Sequence, residues 1–301
     1  MNAGLIHAGR NVPRYTSYPT APHFSAAIGP KTYTEWLAAL PAAATLSLYL
    51  HVPFCSEICL YCGCQTKASK RRDPIEHYAD RLAEEIALIG AATGGRKVVH
   101  LHWGGGTPSI LGNDHLRRLM DKLGAAFDLS ALREHAIELD PRRMPPTLAR
   151  TLANIGVNRA SLGVQDFSPR VQKAIGRIQP FNVVASAVTE LRDAGIDQIN
   201  IDLMYGLPLQ TVDDVRQNVQ LATALAPPRI AIFGYAHVPW LKTNQRCIDE
   251  SQLPGLFERV AQARTASETL TRIGYVPVGL DHFALPSDDI ARAARTGRLR
   301  R

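Results

Sequence analysis

The chain has 301 residues, 46% of them hydrophobic and 20% charged, with a formal net charge of +7. That length suits one α/β barrel, the composition suits a globular protein with a packed core, and no apolar run approaches the ~18 residues of a membrane span. The N-terminus, Met1-Asn-Ala-Gly-Leu-Ile-His-Ala-Gly-Arg10, lacks the apolar stretch of a signal peptide, so a cytoplasmic location is expected.

Strand and helix patterns alternate along the chain. Residues 1–45 are rich in proline and alanine, with Pro13, Pro19, Pro22 and Pro30, and read as an extended arm with a short helix near 32–40. The first strand is predicted at about 46–52 and a helix at about 74–90. For that helix Asp73 is the predicted N-cap, Pro74 the first helical residue and Glu76 the partner in a capping box. Tyr78, Leu82, Ile86 and Ile89 supply its apolar stripe. A strand at about 97–103 leads into Gly104-Gly-Gly106-Thr-Pro, and a helix at about 113–126 starts with Asn113 as cap. Strands at about 135–139, 157–163, 196–203 and 229–235 alternate with helices near 145–154, 181–194, 211–225 and 252–272. Thr211 to Asp214 caps the third of these, and a last short strand is predicted near 276–281. Such units imply a parallel sheet with right-handed crossovers. Their number favours an α/β fold in the form of a partial, open (β/α) TIM-like barrel of about six parallel strands over a doubly wound sheet. The predicted organisation is an arm over 1–45 and the barrel over 46–301.

Four of the five cysteines lie in Cys55-Ser-Glu-Ile-Cys59-Leu-Tyr-Cys62-Gly-Cys64, directly after the first strand. Clustered cysteines without a secretory signal point to metal rather than disulfides. Spacings of three and two residues let Cys55, Cys59 and Cys62 converge from one loop. They would serve an iron–sulfur cluster with one iron left open, or a zinc ion with Cys64 as fourth ligand. Cys247 stands alone and reads as a structural thiol. The other unusual residues also follow strands at their C-terminal ends: Gly104 to Thr107, Glu138, Gln165, Asp202 and Tyr235-Ala-His237. That edge is where α/β barrels build active sites. Taken singly, Glu138 and Asp202 could be helix caps, Arg177 a surface arginine, and His51, His100 and His102 packed histidines. The basic groups Lys67, Lys70, Arg71 and Arg72, and the arginines of the last ten residues, have no interleaved aromatics and read as solvated faces. No nucleic-acid or membrane partner is expected.

Cys-x3-Cys-x2-Cys after the first strand, with a glycine motif after the second, resembles the radical S-adenosylmethionine (SAM) superfamily. Within it the chain is similar to the oxygen-independent coproporphyrinogen III oxidases, also called coproporphyrinogen dehydrogenases. The motifs are Pro13-Arg-Tyr-Thr-Ser-Tyr-Pro-Thr20, the extra Cys64, Leu101-His-Trp-Gly-Gly-Gly-Thr-Pro108, Gly163-Val-Gln-Asp-Phe167, Asn200-Ile-Asp-Leu-Met-Tyr-Gly-Leu-Pro208 and Asp281-His-Phe-Ala284. They run in the family's order from end to end.

The resemblance implies that Cys55, Cys59 and Cys62 hold a 4Fe–4S cluster whose fourth iron takes SAM, and that two SAM molecules bind. Tyr49, Gly105 and Glu138 match positions around the cluster-bound SAM. Tyr61, Gly106, Thr107, Gln165, Arg177, Asp202 and Ala236 match positions around the second. It further implies an oxidoreductase that decarboxylates two propionates of coproporphyrinogen III to vinyl groups, giving protoporphyrinogen IX. An electron donor and a terminal electron acceptor are implied partners, and a monomer is expected. Arg177, far from the cysteine loop in sequence, is expected to be dispensable for assembling the cluster. Members of the family continue past Asp281–Ala284 into a helical C-terminal domain that covers the barrel and adds a SAM contact, so this chain is expected to lack that domain. Two other functions stay open: a haem-binding or haem-trafficking relative on the same barrel, and an inactive truncated fragment. In the haem-binding relatives the residue two after the third cysteine is typically aromatic; here it is Cys64.

Overall fold

The computed structural model describes residues 23–279 and 281–299; the Pro13–Thr20 motif lies outside them. Its elements begin with α1 (Pro30–Ala38), β1 (Leu46–Val52), and a ribbon of β2 (Phe54–Cys55) paired in parallel with β3 (Lys67–Ala68). There follow α2 (Asp73–Thr93), β4 (Val98–Gly105), α3 (Asn113–Ala126), β5 (Glu134–Leu139), α4 (Leu148–Asn154) and β6 (Arg159–Gln165). The second half comprises α5 (Pro169–Ala174), α6 (Phe181–Asp193), β7 (Gln198–Tyr205), α7 (Val212–Ala224), β8 (Arg229–Gly234), α8 (Leu256–Ile273), β9 (Val276–Gly279), β10 (His282–Ala284) and α9 (Asp289–Arg295).

The short apolar runs form one sheet in the order β1-β4-β5-β6-β7-β8-β10-β9. The first six strands are parallel; β10 runs antiparallel to β8, and β9 to β10. Among the described residues β1 and β9 are the two ends of that order, so the barrel is open, with six parallel strands as the sequence predicts. The strand predicted near 276–281 is β9, and after a turn at Asp281, which takes a φ of 68°, a further strand β10 pairs with it antiparallel. Runs such as Ile199, Ile201 and Leu203 are buried, as strands covered by helices require. Trp103 is fully buried, and its indole N–H donates to His135 Nε2 at 2.8 Å.

Several end signals act differently from their prediction. The N-cap of α2 is Arg72, already in helical conformation, with Asp73 and Pro74 as the first two helical residues. Asp73 accepts from Arg71 Nη2 at 3.2 Å instead of capping. Asn113 is the first residue of α3, and its amide donates to Thr147 Oγ1 at 2.9 Å. The capping box of Thr211 and Asp214 forms in full. α8 starts only at Leu256, after Pro254 and Gly255; the stretch before it holds two 3₁₀ turns, Thr243–Cys247 and Glu250–Gln252. No helix among the described residues is long and apolar enough to cross a membrane.

The N-terminal ends of the strands are held by charge. Arg159 Nε meets Glu134 at 2.9 Å, and Arg229 Nε meets Asp288 at 2.9 Å. Asp288 also caps α9 by accepting from Ile290 N at 2.9 Å. The opposite edge carries the cysteine loop.

Candidate active site

The cysteine loop runs from β2 to β3, a two-stranded ribbon outside the main sheet, so the ribbon fixes both its ends. Within it, Leu60 N donates to Ile175 O at 3.0 Å and Cys62 N to Cys59 O at 3.1 Å. Cys59 is buried, Cys55 and Cys62 are partly buried, and Cys64 is exposed. Each of the three sulfurs faces its own donors. Cys55 Sγ accepts from Thr66 Oγ1 at 3.5 Å and Thr107 Oγ1 at 3.4 Å. Cys59 Sγ accepts from Arg177 Nη1 at 3.4 Å and, more distantly, Arg142 Nη2 at 3.8 Å. Cys62 Sγ accepts from Cys64 N at 3.4 Å, and the Cys64 thiol adds a second hydrogen bond that lowers the Cys62 thiol to about 6. Among the described residues no three His, Cys, Asp or Glu side chains surround one point as a single metal ion requires.

The glycine edge lies beside this loop. Gly106 N donates to Val52 O and Thr107 N to Phe54 O, both at 2.8 Å, so the residues after β4 are stitched to the end of β1 and to β2. A Cβ on Gly106 would strike Phe54 O and come within 2.6 Å of Thr66 Oγ1. Gly105 has a φ of 109°, and a side chain there would meet the His51 ring at 2.6 Å. The glycines are therefore required by protein groups that already press against them.

Glu138 is no helix cap. Its Oε2 accepts from Gly105 N at 3.1 Å, and its Oε1 lies 3.1 Å from His102 Nε2. Tyr49 stacks on His102 with ring centroids 5.6 Å apart, and its hydroxyl is 3.1 Å from His51 Nδ1. Since His51 Nε2 faces Gln65 O at 3.0 Å and must donate there, Nδ1 accepts from Tyr49. Partial burial and Glu138 raise the Tyr49 hydroxyl to about 12. Tyr49, Gly105 and Glu138 are thus in one contact group.

Further candidate residues surround Arg177 and Asp202. Arg177 is 6% exposed, not a surface residue. Its Nη2 donates to Gly163 O at 2.5 Å and lies 3.2 Å from Asp140 Oδ1, and its Nη1 reaches Cys59. Arg177, distant in sequence, is thus in direct contact with the cysteine loop. Gln165, at the end of β6, holds a φ of 71°, and its Nε2 comes close to Gly163. Sheet register sets Asp202 opposite Gly163 and Ala231. Asp202 lies inside β7 rather than at its end, accepts from Ser161 Oγ and Asn200 Nδ2 at 2.7 Å each, and is raised by burial to about 6. Tyr61 packs against Val171, Ile175, Leu207 and Tyr235. The carbonyls of Tyr61 and Ala236 are bridged by Gln245 Nε2, at 2.8 and 3.2 Å.

A model of the radical SAM superfamily matches residues 49–222, more than half of the chain. The chain belongs to the radical SAM superfamily. It is 50% identical over 298 residues to the oxygen-independent coproporphyrinogen III oxidase of Bradyrhizobium diazoefficiens, a match covering 99% of this chain and 66% of that protein. With the protein of the same name from Escherichia coli the identity is 38% over 289 residues, covering 96% and 63%. The solved structure of E. coli coproporphyrinogen III oxidase HemN, described as a radical SAM enzyme, superposes with a TM-score of 0.90 at 37% identity, over 94% of this chain and 65% of that one. The chain therefore spans just under two thirds of the length of these relatives.

Radical SAM proteins work with a 4Fe–4S cluster and SAM, and the residues here fit both. Three thiols on one loop, each facing hydrogen-bond donors that can stabilise thiolate sulfur, fit the three protein ligands such a cluster needs. Arg177 Nε and Asn200 Oδ1 are buried with no hydrogen-bond partner, and a bound polar ligand would satisfy such atoms. Residues that sequence reasoning missed also lie against the cysteine loop or its partners. Asp140 sits between Arg142, 2.7 Å away, and Arg177; burial raises its carboxyl, but the two arginines outweigh burial and hold it below the usual range. Asp140-Pro-Arg directly follows β5, a position that could have drawn attention; Asn244 and Gln245 lie in a stretch with no motif at all.

Proposed function

We propose that this chain is the radical SAM portion of an oxygen-independent coproporphyrinogen III oxidase, and that it converts two propionates of coproporphyrinogen III to vinyl groups in anaerobic porphyrin and haem biosynthesis. The observation that carries this reading is the contact of the three-cysteine loop with the glycine edge and with Arg177: Cys55 Sγ accepts from Thr107, two residues after the Gly105 that Glu138 binds, and Cys59 Sγ accepts from Arg177. Cys55, Cys59 and Cys62 would ligate three irons, leaving the fourth for SAM. Held there, the cluster and SAM would supply the one-electron chemistry that oxidative decarboxylation of a propionate needs.

The chain's own residues bind and orient. Glu138 offers carboxylate oxygens to an ammonium or ribose hydroxyl, with His102 and Gly105 N fixing its direction. Two SAM molecules are proposed. Around the second, Arg177 Nε is a free donor for a carboxylate, Asp202 accepts hydroxyls, and Tyr61, Gly106, Thr107, Gln165 and Ala236 shape the walls. Lys242 places positive charge beside the loop, which favours capture of a substrate bearing four propionates. An electron donor and a terminal electron acceptor complete the reaction, and the protein is proposed to act as a cytoplasmic monomer.

The test is anaerobic reconstitution of the 301-residue chain, followed by assays for deoxyadenosine and for vinyl products from coproporphyrinogen III. Deoxyadenosine with vinyl product supports the oxidase. Deoxyadenosine without vinyl product, together with tight haem binding in a spectroscopic titration, would assign the chain to a haem-handling relative instead.

A further inference from the structure

We propose that the 3₁₀ turn Thr243–Cys247, with Asn244 as its central positioning residue, is the clamp that holds the three-cysteine loop in its ligand-ready shape. Neither the glycine motifs nor the cysteine spacing points to this turn. The observation is a convergence of backbone carbonyls. Asn244 Nδ2 lies 3.1 Å from Cys59 O, 3.1 Å from Leu60 O and 3.0 Å from Cys62 O. Gln245 Nε2 takes the remaining carbonyl of that run, Tyr61 O, at 2.8 Å. Lys242 Nζ takes Cys64 O at 3.0 Å. Three neighbouring side chains thus serve every carbonyl from Cys59 to Cys62, and that of Cys64.

Carbonyl oxygens that point at one place repel each other unless a donor sits among them, and a buried carbonyl without a partner is costly. Asn244 supplies that donor from a single amide. Two of the three carbonyls it holds belong to Cys59 and Cys62, so fixing them fixes the directions in which those two thiols leave the backbone. The clamp is itself anchored. Gln245 is 1% exposed; its Oε1 accepts from Val238 N at 2.6 Å and its Nε2 also donates to Ala236 O. The loop is therefore tied to the segment after β8. Cys55 has no such need, because the β2–β3 pairing already holds it.

Asn244→Asp keeps the shape but replaces the donor with oxygens facing three carbonyls. In the full 301-residue protein with its cluster reconstituted, iron loss to a chelator, followed by decay of the visible absorbance, is expected to run about tenfold faster or more than in the unaltered chain. A second readout needs no iron. In the metal-free protein Cys59 is shielded, whereas Cys247 is exposed. Alkylation measured by mass spectrometry is expected to speed up at Cys59 and stay constant at Cys247. If Asn244→Asp does not fold, Asn244→Ala read by the same two measurements carries the test. A folded variant with unchanged iron retention and unchanged Cys59 protection would overturn the proposal. Neither readout involves the porphyrin, so the outcome is independent of the proposed substrate.

Discussion

Cys62 and Cys64 stand two residues apart with opposite tasks. The Cys64 thiol donates to Cys62 Sγ, which raises Cys64 and lowers Cys62. Serine at Cys55, Cys59 or Cys62 should therefore abolish the cluster, whereas Cys64→Ser, which keeps a donor, should retain about four irons per chain on reconstitution. Loss of iron from Cys64→Ser would make it a ligand. Arg177 is held to the same standard: because it donates to Cys59 and pairs with Asp140, Arg177→Met should lower iron retention as well as ligand affinity. Asp202 gives a pH signature. Its folded-state value of about 6 lies above the ordinary 3.8, so the folded protein binds the proton more tightly than the unfolded one. Its contribution to stability is present at low pH and is lost as pH rises from about 4 through 6. Asp202→Asn should thus gain in melting temperature relative to the unaltered chain on going from about pH 4.5 to about pH 7.5, while ligand binding at the site falls. A melting difference that does not change with pH would remove Asp202 as a strained site residue.

The elements that carry the site are short and close together. β2 has two residues, and the end of β4 lies so near it that Gly106 faces Phe54 O. Gly106→Ala should push β2 away, costing about 1–3 kcal/mol and loosening Cys55, whose partner Thr107 is adjacent. Gly63, between Cys62 and Cys64, has nothing within 4 Å of the point where a methyl group would sit, so Gly63→Ala should leave thermal stability and iron content unchanged. Equal effects from the two substitutions would show that backbone entropy, not the approach of β2, governs this loop. Much of this architecture was legible in the sequence because period and order carry it: apolar runs became strands, and unusual residues collected after them. Element ends were less legible. Asp73 and Asn113 are good capping residues, yet each side chain found a different partner, Arg71 and Thr147 respectively. In the site, residues marked by cysteine or glycine motifs were found, whereas Asp140, Asn244 and Gln245 act through burial and distant carbonyls that no local pattern records.

At the scale of the whole molecule, an open barrel must be held at one end and left accessible at the other. The strand ends opposite the cysteine loop carry Arg159, Glu134 and Arg229, joined by Asp288 from the chain after β10. Asp288 matters most in this set. Its side chain is fully buried, it pairs with Arg229 at 2.8 Å and Arg159 at 3.8 Å, and it caps α9. Removing it leaves two buried guanidinium groups to share Glu134, and breaking a buried ion pair in this way costs about 3–5 kcal/mol. The lost cap adds about 1 kcal/mol. Asp288→Ala should therefore lower the urea midpoint strongly, and Asp288→Asn, which keeps a capping oxygen, should recover only the smaller part. The charge cluster and the cysteine loop sit at opposite ends of the same strands, and the side chains that hold the one are not those that hold the other. Iron per folded chain should consequently stay constant in both variants below their unfolding transitions. If iron falls while the protein is still folded, strain at the charged end is transmitted along β5 to β8 to the cysteine loop, and the sheet is a coupled element rather than a rigid platform.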